Sequence, residues 1–220
     1  MAEKRKLSAS HIVVYLIIFF TIWSIRELFI RPVWLNQFDG LTWHILESSM
    51  KLLVWTVPAV LLIKYFQDDM CISLKEMFTN KPRWFKGAPI LLLVFFPLIS
   101  ALFLHGDIAV RPDFVPLSLI QGVIFVGITE EIVFRGFLLN TMLKRMKPWQ
   151  AVMVDAALFA LIHYPIWIYF GLDLVIILSN SVQILPISAF FAFSFIKTRN
   201  ILVPIALHML WNLLGILFAA

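Results

Sequence analysis

The chain has 220 residues, of which 61% are hydrophobic and only 14% are charged. Soluble domains are about 45–50% apolar and about 25% charged, so this composition excludes the ordinary soluble classes. The formal charge of +5 does not indicate a nucleic-acid partner, because the basic residues lie between apolar runs, where they follow membrane topology. The single cysteine, Cys71, excludes an internal disulfide and a multi-cysteine metal site.

Repeated apolar runs predict an all-α fold, a polytopic transmembrane helix bundle of about seven spans. The first run is not a cleaved signal peptide, because Trp23, Arg26 and Glu27 stand where small residues would be required. Near the start of the second run, Glu47 and Lys51 are four residues apart and are interpreted as an ion pair at the membrane surface. The predicted spans cover roughly residues 11–30, 45–66, 88–105, 117–143, 149–170, 174–196 and 200–219.

The basic residues fit one orientation of these spans. With the N-terminus in the cytoplasm, the outer segments carry little beyond Arg31 and Arg111, with Arg26 near the outer boundary. Cytoplasmic segments of membrane proteins are enriched in Lys and Arg. Here they hold Lys4, Arg5, Lys6, Lys64, Lys75, Lys81, Arg83, Lys86, Lys144, Arg145, Lys147, Lys197 and Arg199. The sequence therefore predicts a multi-pass protein of the cell membrane, with the N-terminus in the cytoplasm and the C-terminus outside.

The fourth span carries two adjacent carboxylates and a guanidinium in the middle of its apolar run. A charged side chain at the centre of a membrane helix costs about 2.5–3.5 kcal/mol, so each needs a partner or a polar cavity. Glu131 and Arg135 stand four residues apart on one helix face, where they can pair. Glu130 is turned about 100° away from Glu131 and faces a different neighbour.

Four polar side chains from three spans fall at similar depth. With a 1.5 Å rise per residue, Glu130 and His163 lie roughly 20 Å from the cytoplasmic boundary, His208 roughly 12 Å and Asn212 roughly 18 Å. A glutamate beside a histidine can activate water, and a histidine and an asparagine on one helix face can donate to an oxyanion. Together these groups suit peptide-bond hydrolysis without a covalent intermediate, and this interpretation requires no cofactor. Zinc held by Glu130, His163 and His208 is the alternative, although the H-E-x-x-H pattern is absent.

Three short motifs, each on its own span, resemble those of a known family. They are Glu130-Glu131-x-x-x-Arg135, Phe159-x-x-x-His163 and His208-x-x-x-Asn212. In order and kind they resemble the motifs of the CPBP intramembrane proteases, which include type II CAAX prenyl endopeptidases and bacterial proteins linked to bacteriocin processing and self-immunity. The resemblance covers about residues 117–219, a CPBP-like catalytic helical core. Residues 1–116, with the first spans and a cytoplasmic loop, carry no motif of the family.

The resemblance implies a role for each motif residue. Glu130 resembles the family's water-activating glutamate, and His163 assists it. His208 and Asn212 resemble the pair that stabilises the oxyanion. The supporting residues are Glu131, Arg135 and Phe159.

Three functions remain open on these residues. The first is an intramembrane endopeptidase acting on a membrane protein, or on a membrane-associated, prenylated or leader-type peptide. The second is a bacteriocin self-immunity or regulatory membrane protein that acts by binding without proteolysis. The third is an ion- or proton-coupled transporter with Glu130 and His163 as a relay, which the lack of internal repeats disfavours.

Overall fold

A computed structural model describes residues 6–82, 110 and 116–218 of the chain, so the predicted span 88–105 lies outside the described residues. The described part is helical and contains no β-strand, which confirms the all-α membrane bundle. Four helical stretches are long and apolar enough to cross a membrane. They are α1 (Ala9–Gln37), α2 (Gly40–Tyr65), the pair α5 (Pro148–Leu161) and α6 (Tyr164–Tyr169), and α7 (Leu174–Thr198). The others described are α3 (Leu74–Thr79), α4 (residues 119–142) and the shorter apolar α8 (Leu202–Phe218).

Three of these helices contain π-helical turns beside their charged residues. They lie at Arg26–Ile30 in α1, at Leu52–Thr56 in α2, and at Leu119–Phe125 and Ile132–Leu139 in α4. In α2, for example, the Val57 N–H donates to the Leu52 carbonyl, five residues back. A π-helical turn widens the helix locally, and such turns are frequent at functional sites. Here they flank the side chains that form the polar interior.

Aromatic side chains hold α1 and α2 against α4. Trp55 of α2 packs edge-to-face with Phe19 and Trp23 of α1, at 4.9 Å between ring centroids in both pairs. Phe134 of α4 lies 6.0 Å from Trp55 and 4.9 Å from Phe159 of α5. Edge-to-face pairs of buried rings contribute beyond their buried area. The N-terminal helices are therefore packed into the same core as the helices that carry the motifs.

A glycine brings α8 close to α4. A Cβ atom on Gly127 would lie 2.9 Å from Cγ of Met209 and 3.6 Å from the carbonyl oxygen of Ile205. Small residues allow close approach between membrane helices, where lipid gives no hydrophobic force to bring the helices together. This approach places His208, which lies between those two residues of α8, beside the glutamates of α4.

The residues that follow α2 bond to the side-chain amide of Asn140 in α4. The side chain of Asn140 accepts from the Ile72 N–H at 2.8 Å and donates to the Ile72 carbonyl at 2.8 Å. Ser73 and Glu76 then form a capping box at the start of α3. The backbone N–H of Ser73, donating to the Glu76 carboxylate, lowers the pKa of that exposed group. The short helix therefore has its own start signal and a fixed attachment to α4.

Candidate active site

A cavity of about 130 Å³ lies where α1, α2, α4 and the break between α5 and α6 meet. Its polar lining consists of Glu27, Arg31, Glu47, Lys51, Glu130 and His163. Two tryptophans and two isoleucines complete its wall. A polar cavity inside an apolar bundle is the kind of compensation that intramembrane charges require. Two of the four predicted catalytic residues, Glu130 and His163, face this cavity.

Glu130 is held at one of its two carboxylate oxygens. The residue is only 3% exposed, and its Oε1 accepts from Nζ of Lys51 at 2.6 Å. Its Oε2 has no hydrogen-bond partner among the described residues and lies 3.9 Å from Nε2 of His208. A carboxylate oxygen can accept from water. Glu130 therefore offers Oε2 to a water molecule or a substrate group.

His163 is positioned by a break in the predicted fifth span, which is two helices, α5 and α6. Pro165 stands in the first turn of α6, where its lack of an N–H is tolerated. Before it, the His163 N–H bonds to the Ala160 carbonyl at 3.1 Å instead of the Phe159 carbonyl. The Phe159 carbonyl, one turn before His163, accepts from Nδ1 of the His163 side chain at 2.7 Å. Because a carbonyl only accepts, Nδ1 carries the proton and Nε2 is left for the site.

His208 is positioned by the second glutamate. Its Nδ1 lies 2.8 Å from Oε1 of Glu131, so an ionised Glu131 accepts the Nδ1 proton. The imidazole stacks on Phe191 at 5.1 Å between centroids and meets the edge of Phe159 at 5.8 Å. These contacts fix the ring with Nε2 towards Glu130. The two adjacent glutamates thus have separate tasks, since one faces the cavity and the other orients a histidine.

Arg135 joins three helices at a fully buried position. As expected from the four-residue spacing, its Nη1 donates to Oε1 of Glu131 at 3.0 Å. Its Nε lies 3.4 Å from Oδ2 of Asp155 in α5, and its Nη2 donates to the carbonyl and hydroxyl oxygens of Ser188 in α7 at 2.7 and 2.6 Å. Its guanidinium carbon stands 4.7 Å from the ring centroid of Phe159. No sequence motif assigned Asp155 or Ser188 to this group.

Asn212 contacts the backbone of α4 and, like His208, is not among the residues that line the cavity. Its Nδ2 donates to the carbonyl oxygen of Gly122 in α4 at 2.9 Å. An amide group has two N–H donors, so one remains for a substrate. The structure therefore groups Glu130, His163 and His208, and it places Asn212 one turn beyond His208 along α8. The role of Asn212 as an oxyanion donor stays a prediction.

The interpretation of Glu47 and Lys51 as a surface ion pair is wrong. Both are buried, at 4% and 7% exposure. Lys51 bonds to Glu130 of α4, whereas Glu47 contacts Arg26 and lies 3.3 Å from Nη2 of Arg31. The two residues share a helix face, but that face lies against α1 and α4 instead of the membrane boundary. Partners from other helices are closer than the neighbour on the same helix.

A network of charges on α1 and α2 lies along the cavity, to whose lining Glu27, Arg31 and Glu47 belong. Arg26 contacts Glu27 and Glu47, and Nε of Arg31 donates to Oε2 of Glu27 at 2.7 Å. None of the three family motifs lies in these helices. A signal was present, because Glu27 and Arg31 are four residues apart beside an apolar run, and intramembrane ionisable residues indicate function by default.

The proposed zinc ligands do not form a metal-binding group in this arrangement. Within the described ranges 6–82, 110 and 116–218, no three His, Cys, Asp or Glu side chains are grouped to hold a metal ion. One oxygen of Glu130 is taken by the ammonium of Lys51. The zinc hypothesis stays a prediction, and metal analysis of the purified protein tests it.

Residues 112–214 match a family model described as type II CAAX prenyl endopeptidase Rce1-like. The match includes all three motifs and confirms the resemblance predicted from them. Comparison with curated proteins and with solved structures gives no match. The helices α1 and α2, which supply most of the polar lining of the cavity, lie outside the matched segment.

Proposed function

We propose that this chain, whose residues 112–214 match the Rce1-like model of type II CAAX prenyl endopeptidases, is an intramembrane endopeptidase that uses a glutamate-activated water. The observation that carries the proposal is Glu130, a buried carboxylate with one anchored and one unpartnered oxygen, facing a cavity shared with His163. General bases are recognised by such placement within reach of a reacting proton.

The chemical step needs one base and no covalent intermediate. Oε2 of Glu130 accepts a proton from water while the water oxygen forms a bond to the carbonyl carbon of the scissile peptide. The carbonyl π electrons move to the oxygen and give a tetrahedral oxyanion. When the C–N bond breaks, the proton held by Glu130 passes to the leaving amine. His163, with Nδ1 fixed on a carbonyl, accepts from the same water at Nε2 and orients it.

The oxyanion requires donors, and His208 and Asn212 are the proposed pair. Because Nδ1 of His208 faces Glu131, its Nε2 donates only when the ring is an imidazolium. Asn212 contributes the N–H that is not used by the Gly122 carbonyl. Charged and neutral donors aimed at a developing oxyanion are a major source of catalysis in water-excluded sites.

The proposed substrate is a peptide that reaches the site from the membrane. Candidates are a membrane protein, a prenylated C-terminus or a leader-type peptide. In the proposed orientation the C-terminus is outside, and so is the connection between α1 and α2, because α1 begins at the cytoplasmic side. Glu27, Arg31 and Glu47 lie near that connection, so the cavity lies towards the outer side.

The test compares the wild type with Glu130→Gln in proteoliposomes, using a quenched fluorescent peptide that ends in a prenylated cysteine and three further residues. Glu130→Gln keeps the side-chain size but removes the base, so we expect cleavage to fall to background. Glu76→Gln is the matched control, because Glu76 is exposed and Gln also serves in a capping box. In parallel, membrane proteomes of cells expressing each form should differ in the same substrates.

Two results would overturn the proposal. One is a peptide cleavage rate that Glu130→Gln leaves unchanged. The other is a cellular effect, such as protection from a bacteriocin, that persists in Glu130→Gln without any difference in the membrane proteome. The second result would instead support a protein that acts by binding.

A further inference from the structure

We infer that Lys51, from the second helix, is a positioning residue that holds the carboxylate of Glu130 in its reactive orientation. This inference rests on the proposed function. Lys51 lies outside residues 112–214, so the family match assigns it no role. It also lies 79 residues before Glu130 in the chain, and only the packing of α2 against α4 brings the two together.

The contact is short, buried and one-sided. Nζ of Lys51 lies 2.6 Å from Oε1 of Glu130, and both side chains are less than one-tenth exposed. The second oxygen of Glu130 has no partner among the described residues. Charge-assisted hydrogen bonds of this length are among the strong ones, and anchoring one oxygen limits rotation of the carboxylate. Oε2 is therefore kept in place for a water molecule.

The lysine itself is held by aromatic rings. Its ammonium lies 4.7 Å from the ring centroid of Trp55 and 5.8 Å from that of Trp23. Rings at these distances attract a cation, and more strongly where water is excluded. Trp55 is buried at 1% exposure and packs against Phe19 and Phe134. The aromatic rings thus hold the ammonium of Lys51 in place, and Lys51 in turn holds the carboxylate of Glu130.

Glu47, which lies on α2 with Lys51, could compete with Glu130 for the lysine, but arginines of α1 occupy it. Glu47 stands four residues before Lys51, at the spacing where the two would pair on an isolated helix. Glu47 contacts Arg26 and Arg31 instead, and Arg31 also bonds to Glu27. With Glu47 occupied, Lys51 is available to Glu130. The network on α1 and α2 therefore acts on the site through Lys51.

Two adjacent glutamates consequently receive two different cations. Glu131 is paired with Arg135 from its own helix and orients His208, whereas Glu130 is paired with Lys51 from another helix. A buried carboxylate with no cation leaves an uncompensated charge, which is strongly unfavourable. Lys51 of α2 thus gives Glu130 a cation of its own, separate from the guanidinium that supports Glu131.

The experiment measures kcat and KM for the fluorescent prenylated peptide with Lys51→Met, Lys51→Gln and Lys51→Arg in the full chain. Loss of precise placement of a reacting group costs about 10²-fold in rate, so we expect kcat to fall by about that factor in both neutral variants while KM stays within about twofold. Lys51→Arg should recover part of the lost kcat, because it keeps the cation. Lys64→Met, an exposed lysine on the same helix, is the control and should match the wild type.

A thermal-unfolding cycle reports on the pair independently of turnover. We expect Lys51→Met and Glu130→Gln each to lower Tm, and the double variant to lie higher than the sum of the two losses predicts. Lys51→Gln keeps an N–H donor for Glu130 and serves if Lys51→Met does not fold.

The outcomes distinguish failure of the positioning role of Lys51 from failure of the proposed endopeptidase activity. Folded neutral variants with wild-type kcat would overturn the role of Lys51 while leaving the endopeptidase intact, provided that Glu130→Gln is inactive. Additive Tm losses would also overturn it, since they would show that Lys51 and Glu130 do not interact. If the wild type does not cleave, or Glu130→Gln cleaves equally well, the proposed function fails and the positioning role fails with it.

Discussion

Removal of Arg135 tests whether the pair in the fourth span supports the fold or performs chemistry. Arg135 has no exposed surface, and its guanidinium contacts Glu131, Asp155 and Ser188 on three helices. Arg135→Ala would leave two buried carboxylates and one buried carbonyl without their cation. We therefore expect loss of folded protein together with loss of activity, and not loss of turnover alone.

The size of the effect follows from those contacts. Removing one partner of a buried ion pair costs about 3–5 kcal/mol, because the remaining charge is left uncompensated. Native proteins usually have free energies of unfolding of about 5–15 kcal/mol, so the variant would lose a large part of its stability. At about 2–4 °C for each kcal/mol in a chain of this size, Tm should fall by about 6–20 °C.

The assay is thermal unfolding in detergent, followed by the fluorescence of the eight tryptophans, with the yield of monodisperse protein measured beside it. Lys197→Met is the control, because it removes an exposed cation from α7. Combining Arg135→Met with Asp155→Asn removes one of the two orphaned carboxylates. This double variant should therefore regain part of the Tm lost in Arg135→Met.

One result would refute this reasoning. If Arg135→Ala keeps the Tm and yield of the wild type but loses turnover, then the buried network does not stabilise the bundle. Arg135 would then act on the reaction through Glu131 and His208, which are its neighbours in the site.

Three further predictions address orientation, the oxyanion and the metal. In a cysteine-free background, a cysteine at the exposed Asp39 should react with an impermeant thiol reagent from outside the cell, and one at the exposed Lys75 should not; the reverse pattern would refute the N-in orientation. Asn212→Ala should lower kcat by about 10²–10³ and leave measurable activity, because it removes one oxyanion donor, whereas Glu130→Gln should leave almost none; equal losses would contradict the separate roles. Purified protein should contain substoichiometric zinc and keep its activity with a strong chelator, and stoichiometric zinc with activity restored by added zinc would replace the glutamate-only mechanism.

Local sequence patterns were sufficient for several features of the site. The spacing of Glu131 and Arg135 predicted an ion pair that the structure contains, because a four-residue spacing fixes neighbours on one helix regardless of the rest of the fold. Depth counted along each span predicted that Glu130, His163, His208 and Asn212 lie in one layer, since helical rise is nearly constant. In the structure Glu130 and His163 line one cavity and His208 lies 3.9 Å from Glu130, whereas Asn212 contacts Gly122. The motifs on these spans predicted the family that residues 112–214 match.

The same four-residue spacing gave a wrong prediction for Glu47 and Lys51. It identified two side chains on one face correctly, but it could not tell that α1 and α4 supply closer partners of opposite charge. Which helices are neighbours depends on packing, such as the aromatic contacts of Trp55 and the close approach at Gly127, and no local period encodes it.

The sequence by itself therefore determined the membrane class, the approximate positions of the helices that the structure describes, and the residues that carry the family motifs. These follow from hydropathy, helical periodicity and residue order, which are properties of single segments. Only the tertiary structure decided that Lys51 is the cation beside Glu130, that Arg135 reaches Asp155 and Ser188, and that Asn212 rests on the Gly122 carbonyl. Each of these contacts joins different helices, and a buried charge pairs with whichever opposite charge the packing brings nearest.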